Sequence, residues 1–212
     1  MSEAKPQGYE YHDTTAGHTQ GYLWVPVFRE LDALVWPTGK PKRVFDLGCG
    51  NGALAAALAK RGYDLSGVDP SEDGIRIANQ AHPTLNLKSG SAYDDLAASF
   101  GQVPAVVSLE VVEHVFYPRK YAKALFDLLE PGGIGIVSTP YHSYWKNVVL
   151  AVSGKMDAHF TALWDYGHIK FWSYKTLTEL FAETGLLVER YVRVGRIPIL
   201  AKSMIAIVRK PQ

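Results

Sequence analysis

Two acidic residues accompany a glycine-rich segment near the start of the chain. Asp46 opens the segment DLGCGNG at residues 46–52, within a short apolar run, and Asp69 ends the next apolar run. Glycines in such a loop allow a ligand to approach the backbone closely. A carboxylate beside the loop repels a phosphate and attracts a positively charged group, so the pattern favours a cationic ligand.

The glycine spacing distinguishes this loop from dinucleotide-binding loops. It is G-x-G-x-G, whereas loops that hold a pyrophosphate at a helix N-terminus have G-x-G-x-x-G. S-adenosylmethionine carries a sulfonium and an ammonium group, and it therefore has the positive charge that the carboxylate of Asp46 favours. Asp69 is placed to accept hydrogen bonds from a ribose diol. In the alternative interpretation both aspartates only cap tight turns, but two of them on successive strands favour binding.

Four further residues, Glu110, Glu113, His114 and His168, could converge on one divalent cation. If the chain turns helical after Glu110, spacings of three and four residues bring the first three to one side. Mixed carboxylate and imidazole ligands suit Mg²⁺, Mn²⁺ or Zn²⁺, and such an ion would activate and orient a bound hydroxyl. The alternatives are that His114 is a general base without metal, or a core histidine bonded to Glu110.

Apolar runs and helix-forming stretches alternate along the chain, which predicts a doubly wound, Rossmann-like α/β fold. A helix and two strands without an intervening helix follow, so we expect a mostly parallel seven-stranded sheet with an antiparallel C-terminal hairpin. The predicted strands are 43–47, 64–68, 85–87, 103–109, 134–138, 186–194 and 202–209, and the predicted helices are 53–61, 71–79, 117–129 and 173–184.

The length of 212 residues favours a single domain over 1–212. Within it, residues 1–40 are expected to form a lid to which Tyr22 contributes, and residues 141–172 a substrate cap. Aromatic and histidine side chains in the cap could form a wall for a flat ring or a cation-binding box for an amine, or could simply pack together. They are Tyr141, His142, Tyr144, Trp145, His159, Phe160, Trp164, Tyr166, Phe171 and Trp172.

Composition excludes several classes of protein. The net charge of +1 gives no overall field toward nucleic acid, and 47% apolar residues argue against disorder. The single cysteine, Cys49, excludes an internal disulfide framework. The longest interior apolar run, 148–152, is too short to span a membrane, and no targeting segment is visible at the start, so a cytoplasmic location is expected.

The ordered motifs at 44–52, 67–69 (GVD), 107–110 (VSLE) and 131–133 (PGG) resemble those of class I S-adenosylmethionine-dependent methyltransferases. The segment 90–93 (GSAY) lacks the acidic residue that many members have near the adenine. The expected cofactor-binding residues are Asp46, Gly48, Cys49, Gly50, Asn51, Asp69, Pro70, Ser91, Ala92, Leu109 and Tyr22.

A narrower resemblance links E-x-x-E-H at 110–114, STP at 138–140 and GHIKF at 167–171 to the ubiquinone-biosynthesis O-methyltransferases. The small-RNA 3′-end 2′-O-methyltransferases are more distantly similar. In that RNA group two glutamates and two histidines hold the ion, and their positions match Glu110, Glu113, His114 and His168. The resemblance implies metal-assisted methylation of a hydroxyl.

The acceptor is expected to be a small molecule, such as a phenol. Nucleic acid is not expected, since no RNA-binding module accompanies the basic residues near the C-terminus. One alternative is a metal-independent N- or carboxyl-methyltransferase with Glu110 or His114 as base. Another is a non-catalytic, cofactor-binding partner subunit. The sequence is compatible with a monomer or a homodimer.

Overall fold

The computed structural model describes residues 11–15, 21–165 and 167–212. Its seven-stranded sheet has the order β3-β2-β1-β4-β5-β7-β6. The first five strands run parallel, and β7 lies between β5 and β6, antiparallel to both. The strands are β1 Arg43–Leu47, β2 Asp64–Asp69, β3 Asn86–Ser89, β4 Val103–Leu109, β5 Leu129–Pro140, β6 Leu187–Val194 and β7 Ser203–Arg209.

Within the described ranges, eight α-helices connect or cover these strands. They are α1 Gly21–Asp32, α2 Ala53–Ala59, α3 Glu72–Ala81, α4 Leu96–Phe100, α5 Pro118–Leu128, α6 Tyr144–Val152, α7 Met156–Phe160 and α8 Tyr174–Ala182. Helix α3 begins where the sequence predicts, because the Ser71 side chain accepts a hydrogen bond from the Gly74 amide at 3.1 Å. Helices α6 and α7 lie in the 141–172 insertion.

Apolar clusters cover both faces of the sheet. Tyr121 of α5 and Phe181 of α8 belong to one cluster, and Leu23 of α1 and Leu58 of α2 belong to the other. Strand β4 is apolar and buried along nearly its whole length because both of its faces are covered. The predicted doubly wound architecture and its antiparallel C-terminal strands are thereby confirmed.

The structure departs from the sequence-based expectation immediately after β4. Glu110 has a positive φ of 55°, and the residues that follow make a single turn, closed by a 2.9 Å bond from the His114 amide to the Val111 carbonyl. The conditional prediction of a helix after Glu110 is wrong, because a left-handed residue redirects the chain.

The carboxyl ends of β1, β2 and β4 meet at one edge of the sheet. This edge therefore brings Asp46, Asp69 and Glu110 into one region, as is usual for ligand sites in doubly wound folds. No helix in the described ranges is both long enough and apolar enough to cross a membrane.

Candidate active site

The glycine loop after β1 folds back onto β2. The amides of Gly48 and Cys49 both donate to the carbonyl of Val68, at 2.9 and 3.0 Å. Gly48, Gly50 and Gly52 have positive φ values of 89°, 51° and 75°. Three left-handed residues within five positions explain the glycine spacing, because other residues rarely adopt this conformation.

Asp69 holds this loop in place. Its Oδ2 accepts a hydrogen bond from the Gly50 amide at 2.9 Å, and its Oδ1 accepts one from the Ser71 amide at 2.8 Å. Burial raises the pKa of Asp69, while these two bonds lower it. Each carboxylate oxygen has a second lone pair, so the carboxylate that fixes the loop can also accept a ribose hydroxyl.

The carboxyl group of Asp46 is buried at the start of the loop. Only 2% of the residue is exposed, and its Oδ2 has no hydrogen-bond partner within the described ranges. Burial, and then the nearby Asp69, raise the pKa of Asp46 to about 7. A buried carboxylate without a partner is costly, and a cation would remove that cost, so the site fits a sulfonium or ammonium ligand.

The side chain of Asn51, which the sequence predicts to bind the cofactor, contacts the N-terminal segment. Its side-chain amide donates to the carbonyls of Asp13 and Thr15, at 2.7 and 3.0 Å. The ring of Tyr11 lies against Gly50, where a Cβ would overlap its hydroxyl. Asn51 therefore binds the N-terminal segment 11–15. Tyr11, which belongs to the predicted 1–40 lid but not to the predicted cofactor-binding residues, lies beside the loop.

The remaining predicted cofactor residues are dispersed around the same edge. Cys49 and Leu109 are buried, Pro70 is exposed, and Ala92 packs partly against the core. The Ser91 amide donates to Asp94 Oδ2 at 2.7 Å.

Tyr22, on α1, lies toward β7. Its hydroxyl is 2.7 Å from Ser203 Oγ. Burial raises the pKa of Tyr22, and the carboxylates of Glu110 and Glu113 raise it further. Tyr22 is therefore associated with the glutamates of the second group rather than with the glycine loop.

Glu110 is fixed by Ser138 of β5. The Ser138 hydroxyl donates to Glu110 Oε1 at 2.8 Å and accepts from the Glu110 amide at 2.9 Å. Burial raises the pKa of Glu110 to about 7, although the Ser138 and Ser203 hydroxyls and Lys146 act in the opposite direction. A carboxylate with this pKa can accept a proton near neutral pH.

Glu113 is fully buried, and neither of its carboxylate oxygens has a hydrogen-bond partner in the part of the chain that the structure describes. Burial, and then the charge of Glu110, raise the pKa of Glu113 well above its usual value, although its own backbone and the nearby Thr139 hydroxyl act in the opposite direction. Its carbonyl accepts bonds from the amides of Ile169 and Lys170, both at 3.0 Å. These bonds bring the 167–172 segment, and with it His168, to the turn after β4.

His114 and His168 stand beside Glu113. Their rings are 4.8 Å apart, and His168 Nε2 is 3.9 Å from Glu113 Oε1. One potential ligand atom from each of the three residues lies within 4.8 Å of the other two. Ligands of one bound ion stand roughly 3–3.5 Å apart, so a small contraction would complete a site. Glu110, the fourth predicted ligand, lies outside this group.

The protonation state of His168 suits metal binding. Burial, and then His114, lower the pKa of His168 to about 4, so its imidazole is neutral at physiological pH. His114 Nδ1 lies 3.2 Å from the Gly167 carbonyl, which can only accept, so Nδ1 is the donor of this bond. Metal-bound histidines are commonly oriented by such a bond.

The aromatic side chains of the insertion differ in burial and in what they contact. Tyr141 and Trp172 are buried, whereas Tyr144 and Trp145 are exposed. Trp164 has ring contacts with His114 and His168, at 6.0 and 5.4 Å, and so lies beside the candidate metal ligands. Tyr166 is outside the described residues.

A family model described as a methyltransferase domain matches residues 20–191 of the chain. Because the match covers most of the chain, the chain belongs to this family. The ordered motifs and the strand order place it among the class I S-adenosylmethionine-dependent methyltransferases, as predicted.

Curated relatives include ubiquinone biosynthesis O-methyltransferases. That of Dinoroseobacter shibae is 34% identical over 154 residues, which cover 69% of this chain and 60% of that protein. That of Roseobacter denitrificans is 38% identical over 119 residues, which cover 54% of this chain and 47% of that protein. The chain thus spans about half the length of these relatives.

Solved structures with the same fold have more distant sequences. The magnesium protoporphyrin IX methyltransferase of Synechocystis PCC 6803, with bound S-adenosylhomocysteine, gives a TM-score of 0.65 at 20% identity and covers 94% of this chain and 90% of its own. The cyclase SpnF gives 0.66 at 14% identity, with 97% and 86% covered. Because a cyclase shares it, the fold alone does not identify the reaction.

Proposed function

We propose that this methyltransferase transfers the methyl group of S-adenosylmethionine to a hydroxyl oxygen of a small molecule, such as a phenol, with a divalent cation at Glu113, His114 and His168. The observation that carries the proposal is the buried Glu113 carboxylate without a partner among the described residues, beside two histidines. A buried group of this kind is costly unless a ligand completes it. The similarity to ubiquinone biosynthesis O-methyltransferases supports an oxygen acceptor.

On the donor side, Asp46 attracts the positive charge of S-adenosylmethionine and Asp69 accepts from its ribose. We include in the proposal a covering role for the N-terminal segment, because Asn51 and the Tyr11 contact hold residues 11–15 over the glycine loop. The insertion 141–172 would cover the acceptor. Excluding water on both sides strengthens the electrostatic interactions inside the site.

On the acceptor side, a cation held by Glu113, His114 and His168 would supply charge that lowers the pKa of the acceptor hydroxyl. Glu110 receives the proton, since its pKa of about 7 suits transfer near neutral pH. The bond that forms joins the acceptor oxygen to the methyl carbon, and the bond that breaks joins that carbon to sulfur. The sulfonium thereby becomes a neutral thioether.

A metal-independent reaction with Glu110 as general base is the second candidate. The raised pKa of Glu110 and its bond to Ser138 favour this alternative, because they would operate without a metal. Exhaustive chelation followed by add-back of Mg²⁺, Mn²⁺ or Zn²⁺ distinguishes the two. The proposal predicts that chelation abolishes methylation of phenols and that one of the ions restores it.

Undiminished phenol methylation after chelation would overturn the metal assignment and favour the second candidate. Binding of S-adenosylhomocysteine, measured by calorimetry on the same samples, is expected to be unchanged. A protein that binds S-adenosylhomocysteine tightly but methylates no hydroxyl, amine or carboxylate would instead be a cofactor-binding partner subunit.

A further inference from the structure

His142 lies outside the candidate metal centre and carries a buried, unsatisfied nitrogen. The residue follows the end of β5 and is only 6% exposed. Its Nδ1 is 3.2 Å from Asn147 Oδ1, whereas its Nε2 has no hydrogen-bond partner within the described ranges. Because a carbonyl oxygen can only accept, Nδ1 carries the proton and Nε2 carries a lone pair.

The environment of His142 keeps its imidazole ring neutral, so that Nε2 retains its lone pair. Burial lowers the pKa of His142 to about 4, an effect that the Asn147 bond only partly opposes. The ring is therefore neutral at physiological pH. A buried acceptor without a donor is costly, so natural structures seldom leave one unless a ligand or a water satisfies it.

Aromatic rings surround His142 and form a flat-walled site. Phe160 is stacked on it, with ring centroids 6.1 Å apart and planes at 9°, and Phe171 meets it edge-on at 5.2 Å. The Phe160 and Phe171 rings are themselves 4.6 Å apart. Such a group can hold an aromatic ring while a single polar atom determines its orientation.

A pocket with a volume of about 340 Å³ lies beside this aromatic group, and Phe160 and Trp164 are among the residues that line it. Phe160 stacks on His142, whereas Trp164 has ring contacts with His114 and His168. A ring-bearing acceptor in this pocket would lie against Phe160, which packs on His142, and against Trp164, which packs on the two histidines beside Glu113.

We propose that His142 is a specificity-determining residue for the methyl acceptor, with its Nε2 accepting a hydrogen bond from a second donor group on the acceptor ring. This inference rests on the proposed function and adds to it. The preferred acceptor is then an aromatic ring with two polar substituents. One is the hydroxyl that is methylated, and the other is an O–H or N–H group that His142 recognises.

The test compares pairs of acceptors that differ only in the second donor. Catechol is paired with 2-fluorophenol and resorcinol with 3-fluorophenol, because fluorine is small but cannot donate a hydrogen bond. The intact protein is assayed as wild type, as His142→Phe, which preserves an aromatic ring without an acceptor, and as His142→Gln, which supplies an amide oxygen. His159→Phe is the matched control, since it changes a neighbouring imidazole, 5.2 Å from His142.

For at least one pair, His142→Phe is expected to lower kcat/KM for the hydroxylated acceptor by about tenfold, through KM, and to leave the fluorinated acceptor nearly unchanged. His142→Gln should restore part of the preference, and His159→Phe should retain it. Equal losses for both members of each pair would overturn the inference and indicate that a buried water satisfies Nε2.

Stability and cofactor binding separate this effect from unfolding. Each variant should bind S-adenosylhomocysteine with wild-type affinity and melt cooperatively. If His142→Phe does not fold, His142→Met carries the same comparison. A wild-type protein that methylates none of the four phenols would overturn the proposed function and this inference together, whereas wild-type turnover without any effect of His142 would overturn only the inference.

Discussion

The glycine loop at 46–52 and the turn at 110–114 lie at the same edge of the sheet but are built differently. In the loop, backbone amides are largely satisfied by neighbours on β2, and Asp46 retains an unsatisfied oxygen. The turn instead depends on residues far along the chain, since Ser138 and the 167–172 segment hold it in place. The donor side is thus a locally determined structure, whereas the acceptor side is assembled from distant segments.

This difference predicts where substitutions act. Changes in the loop should affect binding of the donor, and changes in the turn should affect turnover with the donor still bound. The effect should be largest at Glu113, smaller at Asp46 and Glu110, and smallest at Asn51, whose side chain bonds to the N-terminal segment 11–15.

Glu113→Gln should have the largest effect, because it removes the buried charge that would hold a cation while preserving side-chain shape. We expect a loss of kcat on the order of 100-fold in phenol methylation with added Mn²⁺. The affinity for S-adenosylhomocysteine should remain within about twofold. Glu179→Gln, on the exposed surface of α8, is the control and should retain full activity. Wild-type kcat in Glu113→Gln would contradict the assignment.

Asp46→Asn should weaken donor binding. The amide retains the size of the carboxylate but loses its charge, so we expect the dissociation constant for S-adenosylmethionine to rise by about 30-fold. Calorimetry with Asp73→Asn, an exposed residue of α3, provides the control. If Asp46→Asn binds S-adenosylmethionine as tightly as the wild type, the loop does not select the donor by charge.

Glu110 should produce a pH dependence. It must lose its proton to act as a base, so kcat/KM for the acceptor, measured at saturating S-adenosylmethionine to remove the contribution of Asp46, should rise with pH through about 7, by about tenfold between pH 6 and pH 8. Glu110→Gln should remove this rise. A profile that falls with pH over this range, or that Glu110→Gln leaves unchanged, would exclude Glu110 as the base.

Asn51→Ala should have the smallest effect. It removes two hydrogen bonds to the segment 11–15 without changing the loop glycines. We expect the affinity for S-adenosylmethionine to fall by about threefold, as measured by calorimetry, with kcat at saturating donor unchanged. An unaltered affinity would show that the N-terminal segment contributes nothing to donor binding.

The same contrast explains what the sequence could predict. The strands and the glycine loop follow local rules, and the ends of β1 and β4 agree with the prediction to the residue. The antiparallel C-terminal strands follow from the absence of a helix between them. The motif at 167–171 predicts that His168 lies near Glu113, and the structure agrees. The aromatic insertion before this motif offers no pattern that the eye can align with the resembling families.

The errors arise from contacts that only the folded chain creates. The spacing predicts Glu110 beside Glu113 on a helix, but its left-handed conformation and the Ser138 bond direct its carboxylate toward β5. That bond depends on how β4 pairs with β5 and has no local signal. Likewise, the hydrogen bonds from Asn51 to the carbonyls of residues 13 and 15 could not be predicted, because the position of the N-terminal segment is set by tertiary packing.

The most direct measurement is the anomalous diffraction of crystals grown with Mn²⁺ and S-adenosylhomocysteine. We expect a manganese peak about 2.0–2.4 Å from a Glu113 oxygen and from a nitrogen each of His114 and His168. Crystals that show S-adenosylhomocysteine beside the glycine loop but no manganese peak at these three side chains would contradict the proposed metal centre.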